Sequence, residues 1–207
     1  MPFNVNQFRS ELVGDGARSN LFQVEMTIPS FTNVAADSSR KLTFMCKGAQ
    51  LPGTTIGTVQ VPYFGREVKV AGNRTYPDWA VTIINDEDFT VRNSMEAWVD
   101  ALNNPVLNIR DTAAKSSLNY TVNAVVKQFG KIGGGPGAVL GNNATPIKQY
   151  TFVGLFPVDI SAIELDWGNN DQIEEFQVSF AYQYWTTTYP TGTDSITPIS
   201  AIPSNFA

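Results

Sequence analysis

Histidine is absent from this chain of 207 residues, and Cys46 is its one cysteine. Without histidine there can be no Ser-His-Asp triad, no Cys-His dyad and almost none of the usual zinc sites. A single cysteine cannot form an intrachain disulfide or a thiolate cluster. The chemistry that remains open is that of carboxylates, lysines and oxygen-ligated cations, or none at all.

Charge is also scarce, since charged residues make up 16% of the chain against about 25% in typical globular proteins. Fourteen basic residues stand against nineteen acidic ones, which gives a net charge of −5. This balance argues against a protein that grips DNA by neutralising phosphates. A surface with few charges is typical of a subunit that is largely covered by its neighbours in an assembly.

Long apolar runs are missing as well. No stretch approaches the ~20 apolar residues of a membrane-spanning helix, and residues 1–11 lack the basic start and apolar stretch of a signal peptide. We therefore expect synthesis in a cytoplasm and no membrane insertion of the subunit.

What the sequence does contain is alternation of apolar and polar residues, which is typical of half-buried strands. The pattern predicts strands over 21–28, 42–50, 79–84 and 120–129. It also predicts strands over 56–61 and 63–70, separated by Pro62, and over 149–156 and 160–166, separated by Pro157. One amphipathic helix is expected over 93–103. The predicted fold class is mainly β, an antiparallel β-sandwich or barrel with one flanking α-helix. We expect a single domain over 1–207 with an extended tail from about 186 to 207.

The sequence predicts no catalytic, cofactor or metal site. The acidic run 86–88 precedes the predicted helix, where carboxylates are favoured by the helix dipole without any metal. Glu174 and Glu175 are adjacent on a predicted strand and so point to opposite faces, which excludes them as an acid/base pair. The glycine-rich segment within 131–146 lacks the lysine of a phosphate-binding loop and is predicted to be a loop.

The longest predicted strand has two contrasting faces. Its aromatic face is predicted to lie in the core and comprises Phe176, Val178, Phe180, Tyr182 and Tyr184. The opposite face has no lysine or arginine and includes Glu175, Gln177, Ser179 and Gln183. Such a face suits a solvated sheet surface. It equally suits the wall of a conduit for DNA, where cations would bind phosphates and retard the polymer.

A series of segments, in order along the chain, resembles one known family. The segments are Leu51-Pro52-Gly53-Thr54-Thr55, Val61 to Arg66, Val70 to Thr75, Ile84 to Phe89, Gly154 to Pro157, Ile163 to Trp167 and Ile173 to Trp185. Over about residues 17–186 the chain is similar to the tail tube proteins of contractile-tailed, T-even-type bacteriophages. The resemblance implies a tail-tube-like fold.

The resemblance also implies a structural role in the virion. Members of the family form hexameric rings that stack into the inner tail tube, a conduit for genome ejection inside a contractile sheath. The partners it implies are further copies of the subunit, the tail sheath protein, the tape-measure protein, and the baseplate and tail terminator proteins. DNA would pass through without specific binding.

Two sets of site residues follow as hypotheses. The face described above would line the lumen with Glu175, Gln177, Ser179 and Gln183, joined by Thr58 and Gln60. The segment from about 48 to 75 resembles the long hairpin that reaches a neighbouring ring in the family, so Arg66, Glu67 and Lys69 would make contacts between rings.

Two alternatives remain open at this stage. The tube of a contractile injection system or of a type VI secretion system would share the fold but carry no genome. A β-sandwich carbohydrate-binding module would instead be monomeric and would expose aromatic side chains on a sheet face.

Overall fold

The computed structural model describes residues 4–12, 16–32, 37–131, 146–168 and 170–188. The chain forms two compact units. One comprises residues 1–23, 126–150 and 186–207, and the other comprises 24–125 and 151–185. The glycine-rich loop and the tail beyond Thr188 lie outside the described residues, and the expectation of a single domain stays a prediction.

The second unit is built on a seven-stranded sheet. The strands of the sheet are β1 (Phe22–Met26), β2 (Cys46–Ala49), β5 (Trp79–Ile84), β6 (Val122–Gln128), β7 (Lys148–Ile160), β8 (Glu175–Ala181) and β9 (Tyr184–Thr188). They lie in the order β1-β6-β7-β8-β5-β2, with β9 also paired to β7. Four of them, β1, β6, β7 and β9, have ends that belong to the first unit. Strand β8 pairs antiparallel with both β5 and β7. The mainly β, antiparallel architecture is as predicted.

Helix α3 (Thr90–Leu102) packs its apolar side in the core, as predicted. Trp98 and Met95 are fully buried, and the Trp98 ring lies 6.4 Å from that of Phe180 on β8. The helix begins three residues before the predicted Asn93. Its N-cap residue, Phe89, is in the left-handed region at φ 51°, so Asn93 lies inside the helix rather than at its start.

Residues 38–45 form a helix, and the prediction of a strand over 42–50 was wrong there. Helix α2 (Ser38–Met45) buries Ser38 and Leu42, which are one helical turn apart. Phe44, which the alternating pattern places in the core, is exposed. An ion pair between Arg40 and Asp37 at 2.6 Å joins two residues near the start of this helix. Three helices besides the predicted one are therefore present in the described residues, namely α1 (Val5–Glu11), α2 and α4 (Ser117–Tyr120).

Neither proline that was expected to separate two strands does so. Pro157 lies inside β7, and the register with β8 shifts between Pro157 and Asp159. A bulge lets a strand continue past a residue that lacks an N–H donor. Pro62 lies near the end of β3 (Thr55–Tyr63), which pairs with β4 (Arg66–Thr75) in a separate two-stranded sheet.

The described part of the first unit contains α1 (Val5–Glu11) and the ends of β1, β6, β7 and β9. Asn4 caps α1 by accepting a hydrogen bond from the Asn6 N–H at 3.0 Å, and no residue of this helix is buried. The Phe129 N–H donates to the Leu21 carbonyl at 2.9 Å. Among the described residues of both units, no helix has the length and apolar character needed to cross a membrane.

Candidate functional site: a polar sheet face and an exposed hairpin

Strands β5 and β8 divide their side chains between two faces of the sheet. On the core face Trp79, Val81 and Ile83 lie opposite Phe180, Val178 and Phe176, and all six are buried. On the other face Ala80 lies opposite Ser179, and Thr82 lies opposite Gln177. We call this second surface the polar face. Its polar members are Thr82, Asp159, Glu175, Gln177 and Ser179, and the apolar residues Ala80 and Ile84 lie among them.

The structure thus brings three of the six predicted lumen residues together on one face. Glu175 and Gln177 are exposed and Ser179 is partly exposed. Two hydrogen bonds fix the backbone of Gln177 to Ser161: its N–H donates to the Ser161 hydroxyl, and its carbonyl accepts from the Ser161 N–H, both at 2.8 Å. The side chain of Gln177 is therefore presented from a firmly anchored strand.

Two charged residues on this side of the sheet were missed by the sequence reasoning. Lys47 of β2 forms an ion pair with Glu175, although 128 positions separate them. Asp159 of β7 lies opposite Ser179. Strand β8 itself carries no lysine or arginine, but the sheet places Lys47, whose charge is paired, and the carboxylate of Asp159 on the same side. Neither residue can be assigned to this side without knowing which strands are neighbours in the sheet.

Gln183 is placed differently from the other predicted lumen residues. Strand β8 ends at Ala181, and Gln183 lies in the bend before β9, where its N–H donates to the Val153 carbonyl at 3.0 Å. The prediction of one strand continuing through Tyr184 was wrong. Tyr184 is consequently exposed rather than in the core.

The β3–β4 hairpin has an apolar and a polar side, and every residue of its strands except Gly72 is exposed. Val59 lies opposite Val70, and Val61 lies opposite Val68. Residues directly opposite each other in an antiparallel pair share a face, so these four side chains form what we call the valine face. All four are about half exposed, between 46% and 53%, and a cluster of exposed apolar side chains is typical of an interaction site.

The predicted inter-ring residues are divided between the two sides of this hairpin. Gln60 lies opposite Lys69, and Pro62 lies opposite Glu67, so these four share the polar side with Thr58. Arg66 lies opposite Tyr63, on the side of the valine face. The predicted lumen residues Thr58 and Gln60 and the predicted contacts Glu67 and Lys69 therefore face the same way.

The acidic run before α3 makes ion pairs within the chain. The Lys41 ammonium group bonds to the carboxylates of both Asp86 and Asp88. The bond to Lys41, helped by the Thr90 hydroxyl and N–H, lowers the pKa of Asp88 to about 2. No group of three or more potential metal-ligating side chains occurs in the part of the chain that the structure describes.

The fold is shared with subunits of contractile injection systems. The structure aligns with a chain of the anti-feeding prophage baseplate at a TM-score of 0.52, with 15% identity, over 84% of this chain and 95% of that one. It aligns with a chain of the sheath/tube terminator of the extracellular contractile injection system PVC at a TM-score of 0.54, with 10% identity, over 83% and 95%. At these levels of identity, the similarities show that this chain and those subunits share a fold.

Sequence comparison narrows the class to a family. The family model described as "Phage tail tube protein" matches residues 17–188, and the chain belongs to this family. The tail tube protein gp19 of Enterobacteria phage T4 is 31% identical over 172 residues, which is 83% of this chain and 92% of that protein. The tail tube protein of Serratia phage KSP90 is 26% identical over 180 residues, covering 86% and 93%. The tail-tube resemblance and the fold class inferred from sequence are confirmed.

Proposed function

We propose that this protein is a structural virion subunit that forms stacked hexameric rings of the inner tail tube of a contractile phage tail. The tube would serve as a conduit for genome ejection. The proposal is supported by membership of the tail tube family. Among the structural features, it depends most on the β3–β4 hairpin.

An isolated two-stranded hairpin is at best marginally stable in water. Strands β3 and β4 pair only with each other in the described sheets, which leaves both outer edges of the hairpin unpaired, and its valine face is exposed. Open edges are normally covered or closed into a barrel. A ring in which each subunit's hairpin joins its neighbours would pair these edges and bury the valines.

The polar face suits the wall of a conduit for DNA. Glu175 and the nearby Lys47 form an ion pair with no net charge. The carboxylate of Asp159 therefore leaves the face net negative, which repels phosphates. A free lysine there would instead add a phosphate contact in every subunit. We therefore assign Glu175, Gln177 and Ser179 to the lumen, and we keep Gln183, Thr58 and Gln60 as predicted members.

We infer a structural rather than a catalytic role, in the virion, with the tube inside a sheath. The relatives in T4 and KSP90 are named as tail tube proteins. Similar folds occur in structures of a baseplate and of a sheath/tube terminator, which supports sheath, baseplate and terminator proteins as partners. A tape-measure protein in the lumen remains part of the proposal.

Electron microscopy of the purified, concentrated protein tests the architecture. We expect hollow tubes of stacked six-fold rings, with soluble oligomers on size exclusion at lower concentration. A variant with Val61 and Val68 both changed to Thr tests the role of the valine face. It should keep the circular dichroism of the wild type but lose the tubes, because the valine face is made more polar. Rings of another symmetry, or a variant that assembles as well as the wild type, would contradict the proposal.

A further inference from the structure

The tip of the β3–β4 hairpin holds an aromatic residue in an unfavourable position. Phe64 and Gly65 form the turn, with positive φ angles of 44° and 80°. Such two-residue turns favour Asn, Asp or Gly at the first position, and positive φ is uncommon for a bulky side chain. The Phe64 side chain is 91% exposed, and its one ring contact in the described residues is an edge contact with Tyr63 at 4.6 Å. Apart from this ring contact, no hydrogen bond or ion pair of the described residues involves the Phe64 side chain, so the turn is strained without a visible compensating contact there.

A cleft of about 570 Å³ lies in the segment that joins β7 to β8. It is lined by residues 162–167 and 172–175, and we call it the Trp167 cleft. The Trp167 side chain is fully exposed, and Leu165 is 78% exposed. Tryptophan is the residue most enriched among the dominant contributors to protein interfaces. A loop that displays these side chains to water is typical of an interface that is empty in the isolated chain.

The hairpin and the cleft have opposite charges. Residues 55–75 carry three bases, Arg66, Lys69 and Arg74, and one acid, Glu67. Residues 161–174 carry four acids and no base, the acids being Glu164, Asp166, Asp171 and Glu174. Opposite potentials on two exposed apolar surfaces select partners and fix their register.

We propose that the hairpin tip of one subunit docks in the Trp167 cleft of a second copy of this chain. Phe64 enters the cleft beside Trp167 and Leu165, and Arg66 faces the carboxylates of Glu164 and Asp166. This assignment rests on the proposed tube, since it names the surface that receives the hairpin. It explains why Phe64 occupies a strained turn, because the side chain gains its contacts only after assembly.

Disulfide trapping between two different variants tests this contact. Phe64→Cys and Trp167→Cys are made separately in a Cys46→Ala background, mixed at the concentration used for electron microscopy and mildly oxidised. Burial raises the pKa of the Cys46 thiol to about 11, so its replacement removes an already unreactive group. We expect a cross-linked dimer on a non-reducing gel from the mixture and not from either variant alone, so the bond joins position 64 of one chain to position 167 of another.

The control is Leu118→Cys, mixed with Phe64→Cys in the same background. Leu118 is 88% exposed and lies on α4, so its thiol is as accessible as that at position 167 but should not meet the hairpin tip. Its mixture should give several-fold less dimer. Tubes that form without the Phe64–Trp167 cross-link would overturn the docking and leave the proposed tube intact. Absence of tubes from the unmodified chain under the same conditions would count against the proposed tube itself.

Charge reversal gives a second test that does not depend on thiols. Arg66→Glu should raise the chain concentration needed for assembly about tenfold, which corresponds to the loss of one interfacial charge pair. Combining it with Glu164→Lys and Asp166→Lys should restore most of that loss. If the acidic-to-basic changes give no rescue, or if Arg66→Glu assembles normally, Arg66 does not face this cleft.

Discussion

At the scale of single residues, the ionised side chains fix local geometry by pairing across the sequence. Lys41 joins Asp86 and Asp88, and Lys47 joins Glu175. The sequence favoured a helix-stabilising role for the acidic run, and Asp88 does accept a hydrogen bond from the Thr90 N–H at 3.3 Å. The lysine partner lies more than forty positions away and could not be read from local spacing.

The Asp88 carboxylate makes the free energy of unfolding depend on pH in the acidic range. Because the pKa of Asp88 is lowered from 3.8 to about 2 in the folded chain, its contribution is complete above about pH 4 and is lost as the pH falls towards 2. Asp88→Asn should therefore be less stable than the wild type at pH 6, and the difference should shrink over that window. Urea unfolding followed by circular dichroism at several pH values measures it.

The neighbouring Glu87→Gln serves as the matched control, since the Glu87 side chain is exposed and no ion pair of the described residues includes it. At pH 6 its free energy of unfolding should lie within about 0.5 kcal/mol of that of the wild type. A pH-independent difference for Asp88→Asn would show that the pairing with Lys41 does not stabilise the fold.

At the scale of elements, helix α3 is held to the sheet by Trp98. Its ring is fully buried, and its indole N–H donates to the Tyr120 carbonyl at 3.0 Å. The periodicity of Met95 and Trp98 was sufficient to predict this helix and its buried side. The start at Thr90 was not predictable, because it depends on a left-handed Phe89 and on the hydrogen bonds of Asp88.

Trp98→Ala should lower the free energy of unfolding by about 3–5 kcal/mol, because it removes a large buried side chain and leaves a cavity. Trp98→Phe should cost less, about 1–3 kcal/mol, since it mainly leaves the Tyr120 carbonyl unsatisfied. Urea unfolding followed by far-ultraviolet circular dichroism measures both. Leu118→Ala, at an exposed site, should change stability by less than about 0.5 kcal/mol. Equal losses for all three variants would contradict the anchoring role of Trp98.

At the scale of the whole molecule, the roles proposed for the polar face and the hairpin exist only in an assembly of several subunits. The proposed lumen makes a specific prediction for Gln177, whose side chain is exposed on an anchored strand. Gln177→Lys adds one cation per subunit, so tubes should form normally while phage carrying the variant deliver DNA less efficiently. Electron microscopy of the tubes and plating efficiency measure the two effects.

Gln177→Glu is the control of similar size and opposite charge, and it should leave delivery near the wild-type level. Particles verified to contain the lysine that infect as well as the wild type would remove Gln177 from the lumen. Failure of both variants to assemble would place Gln177 in a subunit contact instead.

The sequence alone determined the mainly β class, helix α3 and the contrast between the two faces of β8. These features come from local periodicity, which one strand or helix imposes on its own residues. The resemblance to tail tube proteins was likewise carried by ordered local segments. The tertiary structure decided that residues 38–45 are helical, that β7 continues through Pro157, that β8 ends at Ala181, and that Lys47 reaches Glu175. Each of these depends on contacts between residues distant in the chain, whose burial and pairing energies override local preference.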